Sequence, residues 1–365
     1  MSYLHAIELE LQQIRDANRY REISDGAPAG IDFSSNDYLG LASEPQVVEA
    51  LRRATRAGSA GARLLGGAHR EHRLLEEELA VWLGRERVLL FSSGYHAALG
   101  AIPVLARAVG GSIASDELNH ASLIDGVRLA KSPRIVYPHA DFERGAIAGP
   151  ALLVTESIFS MGGDAVGLLG LLATLGAADA LLVDEAHALG VAGAAGAGLA
   201  RELNDPRVVV LGTLSKAFGA HGGFIAGPGA LIDLLVNRAR TFIFDTALPP
   251  SLALAARVSL LLVRNGDTRR ERLRANAGRL RAGLRELGFP VTEGPSPIVP
   301  VILGSEARAL EVSRALLERG IVAPAVRPPT VPAGGSRLRL SVRSDHRAEQ
   351  IDRLLEELAT CTVTS

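Results

Sequence analysis

V-V-V-L-G-T-L-S-K-A-F-G-A-H-G-G, Val208–Gly223, is the stretch on which the reading of this 365-residue chain turns. It opens as a β-branched apolar run, the pattern of a strand buried on both faces. It then breaks into Thr213, Ser215 and Lys216, followed by glycines. Lys216 and Lys131 are the two lysines among 39 basic residues. A chain that carries its surface charge on arginine has kept an amine just past a core strand. Arginine stays protonated, so it cannot stand in for an amine that must become neutral. A lysine that makes a Schiff base is such an amine. Elsewhere a loop lysine reads as a solvated charge; the buried strand and the scarcity of lysine argue against that here.

Outward from this strand, the chain alternates. Apolar runs at 88–91, 112–115, 134–137, 151–155, 180–183 and 207–211 read as strands. Helical spacing at 96–107, 120–131 and 168–177 lies between them. Such alternation predicts an α/β fold with a mostly parallel central sheet. Upstream, Leu4, Ile7, Leu11 and Ile14 predict an amphipathic helix over 3–20. Gly26–Pro28 breaks the pattern, a short strand follows at 31–33, and helices are expected at 45–56 and 71–83. After Pro249-Pro250 come arginine-rich helices at 250–264 and 267–287. Strands at 297–303, 321–323 and 337–342 and helices at 306–319 and 347–359 complete a smaller α+β domain. The expected division is an N-terminal segment, 1–40, a large domain, 41–262, and a small C-terminal domain, 263–365.

Composition narrows the function. A formal net charge of −1 offers nothing to nucleic acid or an anionic membrane. The single cysteine, Cys361, excludes an intrachain disulfide and a cysteine metal site. Glu8, Glu10, Arg15 and Asp16 interrupt any signal-peptide core, and Leu168–Val183 is too short and interrupted to span a bilayer. The expectation is a cytoplasmic protein without a metal.

The chemistry gathers at strand ends. Leu181-Leu182-Val183 runs into Asp184-Glu185-Ala186-His187, and Lys216 lies just past another strand. Ligands bind at the carboxyl edge of parallel sheets. Ser92-Ser93-Gly94-Tyr95 turns from strand to helix, where free amides and the helix dipole suit a phosphate. The loop 58–67, G-S-A-G-A-R-L-L-G-G, lacks the spacing of a dinucleotide fingerprint. Singly, Asp184 could be a helix cap and His187 a buried hydrogen-bonded side chain. With Lys216 they suit pyridoxal 5'-phosphate: the lysine bonds the aldehyde, the aspartate keeps the ring nitrogen protonated, and the histidine meets the ring hydroxyl.

V-D-E-A-H at 183–187 and T-L-S-K-A-F-G at 213–219 resemble the α-oxoamine synthase family of fold-type I pyridoxal-phosphate enzymes. The resemblance covers nearly the whole chain. F-S-S-N-D-Y-L-G at 33–40, N-H-A-S at 119–122 and E-S-I-F-S-M-G-G-D at 156–164 fit it as well. It implies Gly94 and Tyr95 at the phosphate, with Thr213 reaching it. It implies His120 stacked on the ring, Ser160 and His187 at the ring oxygen, Asp184 at the ring nitrogen, and Lys216 as the covalent and acid/base residue. Asn36 and Arg339 would hold the amino-acid carboxylate. Arg19 would approach the acyl donor and Thr330 would line the substrate region. The family's site lies at a homodimer interface, where Thr246 of F-I-F-D-T-A-L-P-P would touch the partner's phosphate. R-P-P-T-V-P-A-G at 327–334, followed by S-R-L-R-L, resembles one branch of that family, and the resemblance implies an acyltransferase joining L-alanine to a pimeloyl thioester in biotin synthesis. A synthase using glycine or serine, an aminotransferase and a non-catalytic partner subunit are the rival readings. Two departures stand out: Ala188, where many relatives have Gly, and Ala98, where some have Asn.

Overall fold

The apolar run from Val208 forms the strand Val208–Thr213, with all six residues buried. The structure, a computed structural model, describes residues 2–23 and 30–363, with side chains to 361. The turn expected at Gly26–Pro28 lies outside the described residues. Val208–Thr213 sits inside a seven-stranded sheet. In spatial order its strands are Arg87–Phe91, Gly223–Gly227, Val208–Thr213, Ala180–Asp184, Ala151–Glu156, Ser112–Asp116 and Arg134–Tyr137. Only Gly223–Gly227 runs against its neighbours; the other pairings are parallel. The fold is α/β with a mostly parallel central sheet, as the alternation implied.

Both faces of that sheet are covered, which is why its strands read as continuous apolar runs rather than alternating ones. One layer packs Ala97, Ala98, Ala101 and Ile102 of the helix Gly94–Val109 against Leu152, Leu182 and Val209. The other packs Leu153, Leu181, Val183, Val208 and Val210 with the helices Arg70–Leu83 and Pro250–Arg264.

The C-terminal part carries its own three-stranded antiparallel sheet, Ala325–Val326, Ser336–Ser341 and Ile298–Gly304. The helices Asp267–Glu286 and Glu306–Glu318 pack on it, and Ala348–Val363 packs against those two helices. The N-terminal strand Ile31–Asp32 pairs with Ile321–Val322. The segment that carries Asn36 is therefore tied to the C-terminal part of the chain. Among the described residues no helix is long and apolar enough to cross a membrane.

Several expected bounds change. The first helix is Tyr3–Asp16, not 3–20, because Asn18 turns left-handed at φ 56°. The helix expected over 45–56 ends at Arg52, and that over 168–177 ends at Thr174. The helix expected over 120–131 runs Ala121–Ala130, and Lys131 follows it at φ 55°. The strand Gly223–Gly227 and the helices Gly229–Arg238 and Arg240–Ile243 were not anticipated. Glycine-rich ends hid that strand. They are needed there, since a Cβ at Gly223 would lie 2.3 Å from the Gly94 amide nitrogen.

Candidate active site

The carboxyl ends of the parallel strands deliver the reactive groups to one edge. Glu156 and Asp184 end adjacent strands in direct register. Lys216 stands three residues past Thr213, in a turn closed by Gly219 N–H donating to the Lys216 carbonyl at 2.8 Å. Gly219 has φ 58°, and a Cβ there would meet Ala42 N at 2.1 Å. The lysine turn is thus seated against Leu41–Ala42, just beyond the Asn36–Tyr38 segment.

A chain of hydrogen bonds runs from the lysine. Lys216 Nζ lies 2.7 Å from His187 Nε2. His187 Nδ1 lies 2.7 Å from the Tyr38 hydroxyl. Tyr38 donates to Asn36 Oδ1 at 3.0 Å, and Arg339 Nη1 donates to the same oxygen at 3.0 Å. The direction of each bond follows. Burial, with Lys216 adding to it, holds the His187 imidazole well below its usual proton affinity, so it is neutral. Because the Tyr38 hydrogen goes to Asn36, Tyr38 accepts from Nδ1–H. Nε2 then offers its lone pair, and Lys216 donates to it.

Burial pushes the lysine amine down to about 8, while Asp184 and Glu156 pull the other way. A neutral amine is thus within reach near neutral pH. Burial raises the Asp184 carboxyl, and Lys216 opposes that rise. Burial, then the Asp184 charge, pushes Glu156 up to about 8. Two carboxylates side by side in a dry site do not both ionise readily, so the pair favours one charge. Asp184 Oδ1 accepts from Ala186 N–H at 2.9 Å. Among the described residues no donor reaches its other oxygen, which leaves an acceptor for a protonated ring nitrogen.

Arg339 lies in the cluster. Leu338 is fully buried in the small sheet, so its neighbour in the strand faces the other way. Arg339 Nε donates to the Ser160 carbonyl at 2.6 Å, and Nη1 also donates to Ser341 Oγ at 2.8 Å. Arg337 instead holds the Gly335 and Met161 carbonyls, and Arg343 pairs with Asp345. Ser160 is buried on the loop after Glu156. His120 caps the helix Ala121–Ala130, its Nδ1 2.8 Å from Ser122 Oγ, and its amide donates to Glu156 at 2.6 Å.

At the other end of the edge, Ser93 Oγ accepts from His96 N–H at 3.1 Å. The Gly94 and Tyr95 amides are left at the open first turn of the helix. A Cβ on Gly94 would press on Thr213 at 3.4 Å, so the phosphate turn and Thr213 are neighbours. Lysine, acid, neutral histidine, open helix turn and arginine together fit pyridoxal phosphate.

Not every expected residue joins this cluster. Arg19 pairs with Glu306 at 3.1 Å. Arg21 Nη2 donates to Thr330 Oγ1 at 3.4 Å, and Arg327 donates to the Asn18 carbonyl. Arg19 and Thr330 thus belong to an arginine-rich corner between the 18–21 segment and residues 327–330. Thr246 lines a cleft with Arg63, Ser92 and Asp245. Tyr38 and Glu156 join the cluster without a signal in the sequence: both lie inside the motifs at 33–40 and 156–164, but a tyrosine between core residues and a strand-end glutamate carry no spacing signal of their own. The Glu185 of the same D-E-A-H run is a brace: its oxygens accept from Leu199 and Ala200 N–H at 2.9 and 2.7 Å.

The comparisons with known proteins agree. A family model described as aminotransferase class I and II matches residues 28–358. The 8-amino-7-oxononanoate synthase of Methylococcus capsulatus is 48% identical, with 98% of each chain covered. A Sphingomonas wittichii serine palmitoyltransferase structure superposes with a TM-score of 0.89 at 30% identity, covering 99% of this chain and 97% of that one. An 8-amino-7-oxononanoate synthase structure from Francisella tularensis gives 0.80 at 29% identity, covering 91% and 97%. With its strand-end lysine, aspartate and histidine in place, the chain belongs to the aminotransferase class I and II family and, within it, to the 8-amino-7-oxononanoate synthases.

Proposed function

We propose that this chain binds pyridoxal 5'-phosphate at Lys216 and joins L-alanine to a pimeloyl thioester. The products are 8-amino-7-oxononanoate, the free thiol and carbon dioxide. The observation that carries the reading is Lys216 Nζ at 2.7 Å from a neutral His187, with its amine lowered to about 8 beside Asp184. When bound, the cofactor supplies an electron sink for the amino acid's α-carbon. Asp184 would hold a proton at the ring nitrogen. Gly94 and Tyr95 N–H and Thr213 Oγ1 would hold the phosphate. His120 would cover one ring face, with Ser160 and His187 at the ring oxygen. Lys216 Nζ would take the alanine α-proton and return one later. Arg339, steadied by Ser160 and Ser341, would grip the alanine carboxylate with Asn36 beside it. Arg19 and Thr330 would face the acyl donor, on CoA or a carrier protein.

We also propose a homodimer with shared active sites. The helix Tyr3–Asp16 buries none of its residues, and Tyr3 and Leu4 stay 75% and 56% exposed. Leu65 and Phe244 are likewise exposed near the loop of Thr246. A second copy would cover these and let Thr246 reach its phosphate.

The test is a panel of alanine, glycine and serine against pimeloyl-CoA, scored by thiol release and product mass. Alanine should release thiol and give the 8-amino-7-oxononanoate mass. Pyruvate without thiol release would make the protein an aminotransferase, and turnover only with glycine or serine would make it a sister synthase.

A further inference from the structure

The loops that bring His120 and Ser160 toward Lys216 are joined by a residue outside the chemistry described so far. His139 follows the strand Arg134–Tyr137. Its Nδ1 lies 3.0 and 3.1 Å from the two carboxylate oxygens of Asp116. Its Nε2 lies 2.7 Å from Asp164 Oδ2. Ionised carboxylates only accept hydrogen bonds. Both ring nitrogens must then carry hydrogen, which makes the ring an imidazolium held by charge-assisted bonds on each side.

Each acid belongs to one of the two loops. Asp116 is 1% exposed at the end of its strand and also accepts from Leu118 and Ala140 N–H, both at 2.9 Å. It fixes the turn from which Asn119 and His120 leave. Asp164 closes the E-S-I-F-S-M-G-G-D loop: its carbonyl accepts from Phe159 N–H at 2.9 Å, next to Ser160. The His139 ring stands edge-on to Phe159, with centroids 4.4 Å apart. Other charged or titratable groups nearby are Glu117, which accepts the His139 amide at 3.0 Å, Arg337, which feels Asp164, and the Tyr137 phenol, which feels Asp116. Three carboxylates against one guanidinium favour the extra proton. The Asp116 and Asp164 hydrogen bonds raise the imidazole to about 10.

We propose that His139 is a positioning residue. As a standing imidazolium it clasps the His120 turn to the Ser160 loop and sets the slot into which the cofactor ring fits. This rests on the reading of His120 and Ser160 as ring contacts. Because folding raises its proton affinity, the clasp's stabilisation is complete below the unfolded value of 6.5 and is lost as pH rises through about 10.

The experiment uses ¹⁵N-histidine-labelled holoenzyme at pH 8, with the His139 signals assigned by their loss in His139→Gln. Both ring nitrogens should be protonated. Glutamine offers one amide group and cannot bridge both acids. Asp164→Asn keeps the contact but removes a charge. Both variants should bind pyridoxal phosphate at least tenfold more weakly and show altered visible circular dichroism of the bound cofactor. Should His139→Gln fail to fold, Asp164→Asn carries the test alone. A neutral His139 ring at pH 8 overturns the proposal. So do variants that lose only melting temperature while binding and dichroism stay unchanged. If wild type itself attaches no cofactor at Lys216, the functional reading fails; if it does and the variants match it, only the clasp fails.

Discussion

Lys216 is a base whose strength is set by opposing neighbours. Burial drives its proton off, and Asp184 and Glu156 hold it on, leaving the amine near 8. In apoenzyme, its reaction with added pyridoxal phosphate should therefore rise as pH passes about 8, not 10.5, the ordinary lysine value. Asp184→Asn removes the acid that pulls hardest on the proton, so the midpoint should move to lower pH; stopped-flow absorbance across a pH series reads it. A midpoint that moves up would mean the acid does not face the amine. The same variant bears on turnover. An asparagine cannot keep the ring nitrogen protonated by charge. We expect alanine-dependent thiol release to fall by about a thousandfold or more, on the order of 4 kcal/mol. Near-normal turnover would reduce Asp184 to the turn it makes with Ala186 N–H.

At the scale of elements, the strand Ser336–Ser341 decides which arginine meets the substrate. Alternation puts Leu338 in the core and Arg337 and Arg339 on the opposite face, yet only Arg339 touches Asn36. Arg339→Lys keeps the charge and loses the planar fork. Alanine should bind at least tenfold more weakly, about 1.4 kcal/mol, while cofactor absorbance in the absence of alanine is unchanged. Arg337→Lys is the control and should shift alanine binding less than twofold. Equal, small effects would remove Arg339 from the site. The strands of the large sheet were legible because apolar runs mark buried strands and their ends mark the ligand edge; for Arg339 the sequence offered alternation with Leu338 and the family resemblance, and left Arg337 and Arg343 open. Glu156, Tyr38 and His139 were not legible. Their roles come from register across strands and from loops far apart in the chain, which no local spacing encodes. The Arg19–Glu306 pair is of the same kind, joining residues far apart in the chain.

At the scale of the whole molecule, the N-terminal strand pairing with Ile321–Val322 ties Asn36 to the part of the chain that carries Arg339. Asp184 ends one strand of the seven-stranded sheet, and Lys216 lies three residues past another. The site is thus assembled from both parts, and we propose that a second copy completes it. Sedimentation should report a dimer, and Thr246→Ala should weaken cofactor retention several-fold while leaving the dimer intact. A monomer with full activity would refute the shared site. The central claim, however, is that the chemistry is organised on one amine. Two lysines make it directly testable. Holoenzyme reduced with borohydride and digested should carry the cofactor mass on the peptide containing Lys216, and Lys216→Ala should carry none. Label on Lys131, or cofactor retained covalently in Lys216→Ala, would contradict the account.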